Sequence, residues 1–184
     1  MQEQNGQVHI VVIGGSVRPG NYTGKALSLV ADELERQEGV ALDIINPVKL
    51  DLSQPGLEDA SGDGAVIREA VSRATGVILV SPEYHGSVSS VMKLVIENLG
   101  FPSVLAGKPM ALLGVAAGEI GAVKSLEQLR SICSHIGAIV LPRAVSVAHV
   151  QEVFTEDGNC TDPEVTQRIR GVGTALIEYI KGRA

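Results

Sequence analysis

Residues 14–23 combine glycines, hydroxyls and an arginine in an order that suits a phosphate group. The segment reads Gly-Gly-Ser-Val-Arg-Pro-Gly-Asn-Tyr-Thr, follows an apolar run and leads into a helical pattern that starts near Thr23. The free N–H groups and the dipole at a helix N-terminus favour an anion. Ser16 and Thr23 add hydroxyl donors, and Arg18 adds a guanidinium that matches phosphate oxygens. We therefore predict an anion site here; the alternative is an ordinary turn with an exposed arginine.

Three well-known motifs do not fit this segment. A Walker A loop would need glycine where the chain has Pro19 and a hydroxyl residue where it has Ala26. The dinucleotide fingerprint G-x-G-x-x-G is absent after the same apolar run. A nucleophile elbow, G-x-S-x-G around Ser16, would need glycine at Arg18. The sequence therefore gives no support for a P-loop, a dinucleotide site of that type or a hydrolase serine.

A second segment, Ser81–Ser87, brings a carboxylate, a phenol ring, an imidazole and two hydroxyls together. The ring of Tyr84 suits packing against a planar conjugated ligand. The imidazole of His85 suits hydrogen bonding to a heteroatom ring, or proton transfer. The alternatives are a tyrosine that packs on its own domain and a histidine exposed at the surface. We read this segment as a loop that follows a strand and opens a helix.

A third segment, Ala116–Gly121, contains small residues and two glycines before a further helical pattern. Small side chains leave room for a flat ring and expose backbone groups to its polar edge. A plain turn accounts for the same residues equally well.

Alternating strand and helix patterns position these three segments. Unbroken apolar runs of this kind are typical of strands covered on both faces, as in a parallel sheet. The predicted strands are Val8–Ile13, Val40–Ile45, Val77–Val80, Met110–Val115 and Ala138–Leu141. Helical apolar spacing separates and follows them, including a face of Val66, Ala70, Val71 and Ala74. The alternation predicts a single α/β domain, residues 1–184, with ligands beyond the carboxyl ends of the strands.

Composition narrows the classes of function and the location. A net charge of −6 argues against nucleic acid and anionic membrane as partners, since both need a basic face. The longest apolar run is too short for a membrane span, and Met1–Gln7 lacks the pattern of a signal peptide. The two cysteines, Cys133 and Cys160, lack metal-binding spacing. These observations predict a cytoplasmic protein without a bound metal.

At the same three segments the chain resembles the NADPH-dependent FMN reductase family. The Gly-Ser-x-Arg segment after the first strand and the Pro-Glu-Tyr-x-Gly-Ser segment after the third carry the resemblance, which covers nearly the whole chain. It implies a flavodoxin-like three-layer sandwich, a five-stranded parallel sheet with helices on both faces. It also implies bound FMN, NADPH or NADH as the hydride donor, and a small acceptor such as a quinone, azo compound, chromate or free flavin. The flavin carries the chemistry, so we expect no obligatory catalytic side chain.

The resemblance also assigns roles to residues. The first segment of the family binds the flavin phosphate, and the second follows the ribityl chain and the isoalloxazine ring. The third lies near the pyrimidine edge of the ring. The implied cofactor-binding residues are Ser16, Arg18, Asn21, Tyr22, Thr23, Pro82, Glu83, Tyr84, His85, Gly86, Ala117 and Gly118. In this hypothesis Arg18 anchors the phosphate, while Tyr84 and His85 frame the acceptor.

The chain departs from the family pattern on the substrate side. His85 stands where the family commonly has asparagine, and Ser89–Leu94 replaces a stretch that often contains Pro-Gly and Leu-Lys-Asn. Alanine at 116 and 117 replaces a serine frequent in the third segment. The phosphate segment is unaffected by these differences.

Two other classes of function stay open, and assembly follows from the resemblance. One is a flavodoxin-like electron carrier without NAD(P)H activity, although Arg18 and the moderate charge favour the reductase. The other is a non-catalytic module such as a receiver domain, which would need acidic residues where the chain has Gly14 and Gly15. Family members commonly form homodimers or homotetramers. A helix face of Val91, Val95 and Leu99 is a candidate interface, or simply core.

Overall fold

Buried apolar segments form a parallel sheet in the computed structural model, which describes residues 7–183. The strands in this part of the chain are β1 (Val8–Gly14), β2 (Val40–Ile45), β3 (Gly76–Tyr84), β4 (Ser87–Val88), β5 (Pro109–Val115), β6 (Ile139–Val140) and β7 (Val145–Val147). The helices are α1 (Tyr22–Glu35), α2 (Asp63–Arg73), α3 (Ser90–Glu97), α4 (Val123–His135), α5 (Val150–Val153) and α6 (Pro163–Lys181), with a 3-10 turn at Pro47–Lys49.

The main sheet has the order β2-β1-β3-β5-β6, and neighbouring strands along this path pair in parallel. The order reverses direction at β1, which lies between β2 and β3. A crevice beyond the carboxyl ends of the strands at such a point is the usual ligand site of this fold. The sheet therefore brings the segments after β1, β3 and β5 to one edge, as the sequence predicts.

The fifth strand position is divided in two. β6 pairs with the start of β5, and β7 pairs with its end, from Leu113 to Val115. Between them Pro142 lacks an N–H group for the ladder, and Arg143 has a φ of +62°, which a strand cannot accommodate. The predicted strand Ala138–Leu141 is confirmed as β6. The sequence did not predict β7, where the chain returns to the sheet.

Two helical layers cover the sheet because consecutive strand residues point to opposite faces. Ile10 and Val12 pack with α1 and α6, whereas Val11 and Ile13 pack with α2, α3 and α4. All four side chains are completely buried. The predicted α/β sandwich with helices on both faces is therefore confirmed.

One expectation about helix faces needs correction, and for another face the structure decides between two alternatives. In α2, Val66 is 61% exposed, whereas Ile67 and Val71 are buried, because the face that meets the sheet is rotated by about one residue. In α3 and just after it, Val95 and Leu99 are completely buried in the core. These two residues therefore cannot form an interface with a second chain.

The long segment before α2 caps that helix. Its N-cap residue, Gly62, has no side chain to accept a hydrogen bond, and the carboxylate of Asp59 accepts from Gly64 N at 3.3 Å and Ala65 N at 3.0 Å instead. The carbonyl of Ser53 accepts from Asn98 Nδ2 at 2.9 Å, which ties the segment to the end of α3. No helix in residues 7–183 has the length and apolarity needed to cross a bilayer.

Candidate functional site

The three predicted segments meet around one cavity at the carboxyl edge of the sheet. Its volume is about 390 Å³. The lining residues are Arg18, Pro19, Gly20, Asn21, Tyr22, Thr23, Pro82, Glu83, Tyr84, Val115, Ala116, Ala117 and Val150. The site is therefore shared by the ends of β1, β3 and β5.

The first segment forms the N-terminus of α1. Asn21 is the N-cap: its Oδ1 accepts from Gly24 N at 2.7 Å, and its Nδ2 donates to the carbonyl of Arg18 at 2.6 Å. The N–H groups of Tyr22 and Thr23 meet no acceptor among residues 7–183. Such free first-turn donors, together with the helix dipole, make a ready site for an anion.

Arg18 also lines the cavity and lies against the second segment. Its guanidinium carbon is 4.4 Å from the centroid of the Tyr84 ring, a cation–π distance. The hydroxyls of Tyr84 and the buried Ser16 are 3.2 Å apart and form a hydrogen bond. Ser16 Oγ also accepts a hydrogen bond from Arg18 N at 3.4 Å. The first and second segments are therefore joined directly through Tyr84.

Gly15 permits the close approach of the first segment to α3. A Cβ at this position would lie 3.0 Å from Met92 Cε and 3.2 Å from the carbonyl of Val80. Because Gly15 has no side chain, its backbone can approach these groups. Gly15 N donates to the Val80 carbonyl at 2.8 Å, and the Gly15 carbonyl accepts from Ser89 Oγ at 2.6 Å. The glycine thus lets the first segment pack closely against β3 and the start of α3.

The second segment is a β-hairpin, and its interpretation as a loop is wrong. Ser81 and Pro82 continue β3 beside β5, and Glu83 and Tyr84 then pair antiparallel with β4. The two-residue turn at 85–86 has positive φ at both positions, +52° at the histidine and +69° at the glycine. This is the pattern of a type I′ turn, which favours asparagine at its first position and glycine at its second. His85 thus occupies a position selected by backbone conformation.

Glu83 uses its carboxylate to cap α4. Its Oε2 accepts from Ser125 N at 3.1 Å, in the first turn of that helix. The buried Ser125 hydroxyl also donates to the carbonyl of Pro82 at 3.2 Å. Because the carboxylate is engaged with α4, Glu83 presents its backbone rather than its charge to a ligand in the cavity.

Residues at the start of α5 hold the third segment in place through hydrogen bonds to its carbonyl groups. Val150 N donates to the carbonyl of Ala116 at 3.1 Å, and Gln151 Nε2 donates to that of Ala117 at 3.2 Å. His149, with a φ of +44°, donates through its N–H to Gly118 O at 3.4 Å. With these carbonyls occupied, the exposed Ala117 and Gly118 offer their N–H groups and a small surface.

The structure brings most of the predicted site residues together. Arg18, the 21–23 stretch, the 82–84 stretch and Ala117 all line the cavity. Ser16 does not line it, but its hydroxyl is hydrogen-bonded to the lining residue Tyr84. His85, Gly86 and Gly118 lie outside the lining. Sequence reasoning missed Val150, because a short helix after β7 leaves no periodic signal that would place it at the site.

A larger cavity, of about 510 Å³, also borders the first segment and shares Gly20, Asn21 and Thr23 with the first cavity. It is bounded by α1, the end of β2 and residues 156–158. Glu156 and Asp157 line it with one lysine, Lys25, so that two negative charges face one positive charge and oppose a phosphate. The cavity bounded by all three segments is therefore the better candidate.

Neither cysteine offers a reactive thiolate at this site. Cys133 is buried in the core, and burial raises the pKa of its thiol to about 12. Cys160 lies at the isolated bridge with Phe154, away from the cavity lining. Within the described residues both thiols are free.

The donors around the cavity fit FMN. A phosphate ester would find free helix N–H groups, a guanidinium and hydroxyls, which are the groups that bind phosphate in proteins. A flat ring would find the small side chains of Ala116 and Ala117 and the backbone of the hairpin. The site thus offers a subsite that binds an anion and, beside it, a subsite that accepts a flat ring.

Comparison with known proteins agrees with this geometry. The model of the NADPH-dependent FMN reductase family matches residues 8–152. An NADPH azoreductase from Bacillus sp. (strain OY1-2) is 30% identical over 146 residues, covering 78% of this chain and 79% of the relative. A quinone reductase from Escherichia coli (strain K12) is 26% identical, covering 95% and 96%.

Solved structures show the same fold. A flavoenzyme NAD(P)H:(acceptor) oxidoreductase from Paracoccus denitrificans superposes with a TM-score of 0.78 at 22% identity, covering 95% of this chain and 98% of that one. A flavodoxin from the domain Archaea superposes with a TM-score of 0.64 at 14% identity, covering 95% and 99%. The flavodoxin-like fold is therefore confirmed. From the matched family and these relatives, the chain belongs to the NADPH-dependent FMN reductase family and is an FMN-dependent NAD(P)H oxidoreductase.

Proposed function

We propose that the three-segment cavity holds FMN with its phosphate at the N-terminus of α1. The observation that carries this proposal is the pair of free N–H groups at Tyr22 and Thr23, with Arg18 lining the same cavity. Asn21 holds the helix end in shape, and Ser16 adds a hydroxyl that is now shared with Tyr84. These residues bind and orient the phosphate.

The ring is assigned to the hairpin and the third segment. The backbone of 82–84, which lines the cavity, lies along the ring, and the 85–86 turn continues the hairpin outside the lining. Ala117, with Gly118 next to it in the chain, supplies N–H groups to the polar edge of the ring. When bound, FMN supplies hydride chemistry between a nicotinamide and an acceptor. The protein contributes position and electrostatics, and the small alanines keep the ring face open to NADPH or NADH.

The acceptor is proposed to be a flat, largely apolar molecule. Support comes from the names of the relatives, a quinone reductase and an NADPH azoreductase. Two of the segments that form the site also carry an exposed apolar side chain: Val17 on the first segment is 46% exposed, and Ile120 on the third is 74% exposed. Together with Tyr84 and His85 they provide an apolar and aromatic surround, which suits quinones and azo compounds better than chromate.

The chain is proposed to form a homodimer or a homotetramer, with an interface other than the buried face of α3. Phe101 is completely exposed and lines a groove of about 520 Å³ between the end of α3 and α4. Ile96, Ile132 and Ile136 line this groove. A two-fold axis pairs the same patch on both copies, so each ring would enter the other's groove.

Two broader expectations also remain proposals. We propose that residues 1–184 act as one FMN-binding unit, for which the shared site of β1, β3 and β5 is the support. We propose a cytoplasmic location, supported by the two free thiols, since disulfides are rare in reducing compartments.

An absorbance spectrum of the purified protein, followed by anaerobic addition of NADPH, tests the function. Flavin bands that bleach with NADPH or NADH are expected of the reductase. Bands that persist with both nucleotides but bleach with dithionite would identify an electron carrier instead. No flavin bands after reconstitution with FMN would overturn the assignment of the cavity.

A further inference from the structure

Helix α4 holds both strands of the hairpin from outside the cavity. On β4, Gln128 Oε1 accepts from Ser87 Oγ at 2.8 Å and from Val88 N at 3.2 Å. On β3, the Glu83 carboxylate accepts from Ser125 N. The hairpin is thus fixed to one helix at two points, one on either side of its turn.

The capping arrangement explains why the contact lies at this helix end. Ala122, the N-cap residue of α4, has a methyl side chain that cannot accept a hydrogen bond. Glu83 supplies the missing acceptor from another element, and its negative charge suits the positive end of the helix dipole. The orientation of the hairpin and the start of α4 are therefore coupled.

In the described structure, the side chain of Gln128 makes no hydrogen bond other than its two to β4. It is exposed on α4, does not line the cavity and serves only as an acceptor in the described contacts. Without it, Val88 N and the Ser87 hydroxyl would exchange their bond for water, and β4 would be free to shift. Because the turn 85–86 joins β4 to β3, such a shift moves the backbone proposed to face the ring.

We propose that Gln128 is a positioning residue for the flavin, acting through β4 and the 85–86 turn. The inference rests on the proposed function, in which the hairpin backbone lies along the ring. It assigns a role in cofactor binding to a residue outside all three segments.

Two substitutions of similar size separate the hydrogen bonds from simple packing. Gln128→Met keeps the length of the side chain and removes the acceptor. Gln128→Glu keeps an oxygen at the same place and should retain both bonds. Glu127→Met, at an exposed neighbour on the same helix, is the matched control.

The measurements are the FMN Kd of the apoprotein, from quenching of flavin fluorescence, the shape of the bound flavin bands, and thermal unfolding of the apoprotein. Gln128→Met should weaken FMN binding roughly three- to tenfold, the range expected for loss of one or two exposed hydrogen bonds. It should also alter the flavin bands, while the melting temperature of its apoprotein stays equal to that of the Glu127→Met control. Gln128→Glu should restore both the affinity and the bands.

Three results would overturn the inference. These are an FMN Kd unchanged in Gln128→Met, an equal loss in Gln128→Glu, or a loss matched by a fall in apoprotein melting temperature. If the wild-type apoprotein does not bind FMN, the proposed function itself fails, and this outcome is visible before any variant is compared.

Discussion

The guanidinium of Arg18 stacks on the ring of Tyr84, with its central carbon 4.4 Å from the ring centroid. The Tyr84 hydroxyl simultaneously meets Ser16 Oγ at 3.2 Å. One tyrosine from the hairpin therefore contacts two residues of the proposed phosphate segment. An incoming phosphate would compete with the Tyr84 ring for Arg18, and the hydroxyl contact would keep the segment in place during the exchange.

Tyr84→Phe tests this link. The substitution keeps a ring under Arg18 and removes only the hydroxyl contact with Ser16. We expect FMN binding to weaken by about 1 kcal/mol, roughly fivefold, the ordinary worth of one hydrogen bond. Fluorescence titration of the apoprotein with FMN measures it. Ser16→Ala is the matched variant, and the double variant should lose about as much as either single variant, less than their sum, if the two hydroxyls act as one pair. An unchanged Kd in Tyr84→Phe would mean that the contact has no part in binding.

His85→Val should destabilise the apoprotein by about 1–2 kcal/mol, because a β-branched residue is strained at positive φ. His85→Asn should be as stable as the wild type or more so, since asparagine is favoured at the first position of this turn. Urea unfolding of the flavin-free protein makes the comparison. Equal stability of the two variants would contradict the assigned turn.

The ion pairs of Arg170 should make stability depend on pH in the acid range. Arg170 joins α6 to α1 through Asp32 and Glu33, and its hydrogen bond to Asp32 holds the pKa of that carboxyl below its usual value. A depressed carboxyl pKa stabilises the fold above the unfolded value, about pH 4, and the benefit is lost as the pH falls through the folded value.

Urea unfolding of wild type and Arg170→Met between pH 7 and pH 3 measures the effect. The wild type should be the more stable at pH 7, and the gap should narrow below about pH 4. Arg73→Met removes an exposed pair with Glu69 within α2 and should leave only a small gap throughout. A gap for Arg170→Met that stays constant with pH would show that packing, rather than charge, is responsible.

Phe101→Glu should reduce the oligomeric state. A charge in place of the fully exposed ring cannot enter the apolar groove of a second copy, so we expect a smaller species by light scattering coupled to size-exclusion chromatography. Leu57→Glu, at another exposed apolar side chain, is the control and should elute with the wild type. A wild-type protein that runs as a monomer would contradict the proposed assembly.

Strands buried on both faces were predictable, and features set by backbone conformation were not. The run at 8–13 matches β1 to within a residue, because β1 lies between two helical layers and is almost wholly buried. The run at 40–45 matches β2, a half-buried edge strand that carries Asp43, because its remaining residues are apolar and several are β-branched. The hairpin after β3 was missed because Ser81 and Pro82 do not alternate with apolar residues, and His-Gly is not the usual signal of a two-residue turn.

The candidate site was predictable where the chemistry is local. Arg18 and Asn21 stand beside a helix start that the sequence itself marks. Val150 and Gln128 could not be found in this way, because their roles depend on hydrogen bonds between residues far apart in the sequence. Val150 N donates to the carbonyl of Ala116, and Gln128 Oε1 accepts from Val88 N of β4. Such roles follow from packing, which leaves no local pattern.

The most direct test of the central claim compares FMN with riboflavin, which lacks the phosphate, on wild type and on Arg18→Ala. The titration is the quenching of flavin fluorescence by the apoprotein. The wild type should bind FMN far more tightly than riboflavin, and Arg18→Ala should lose about 2–3 kcal/mol toward FMN alone, the value of a charge-assisted contact. Equal losses toward both flavins, or an FMN affinity unchanged by the substitution, would contradict a phosphate held by Arg18 at the N-terminus of α1.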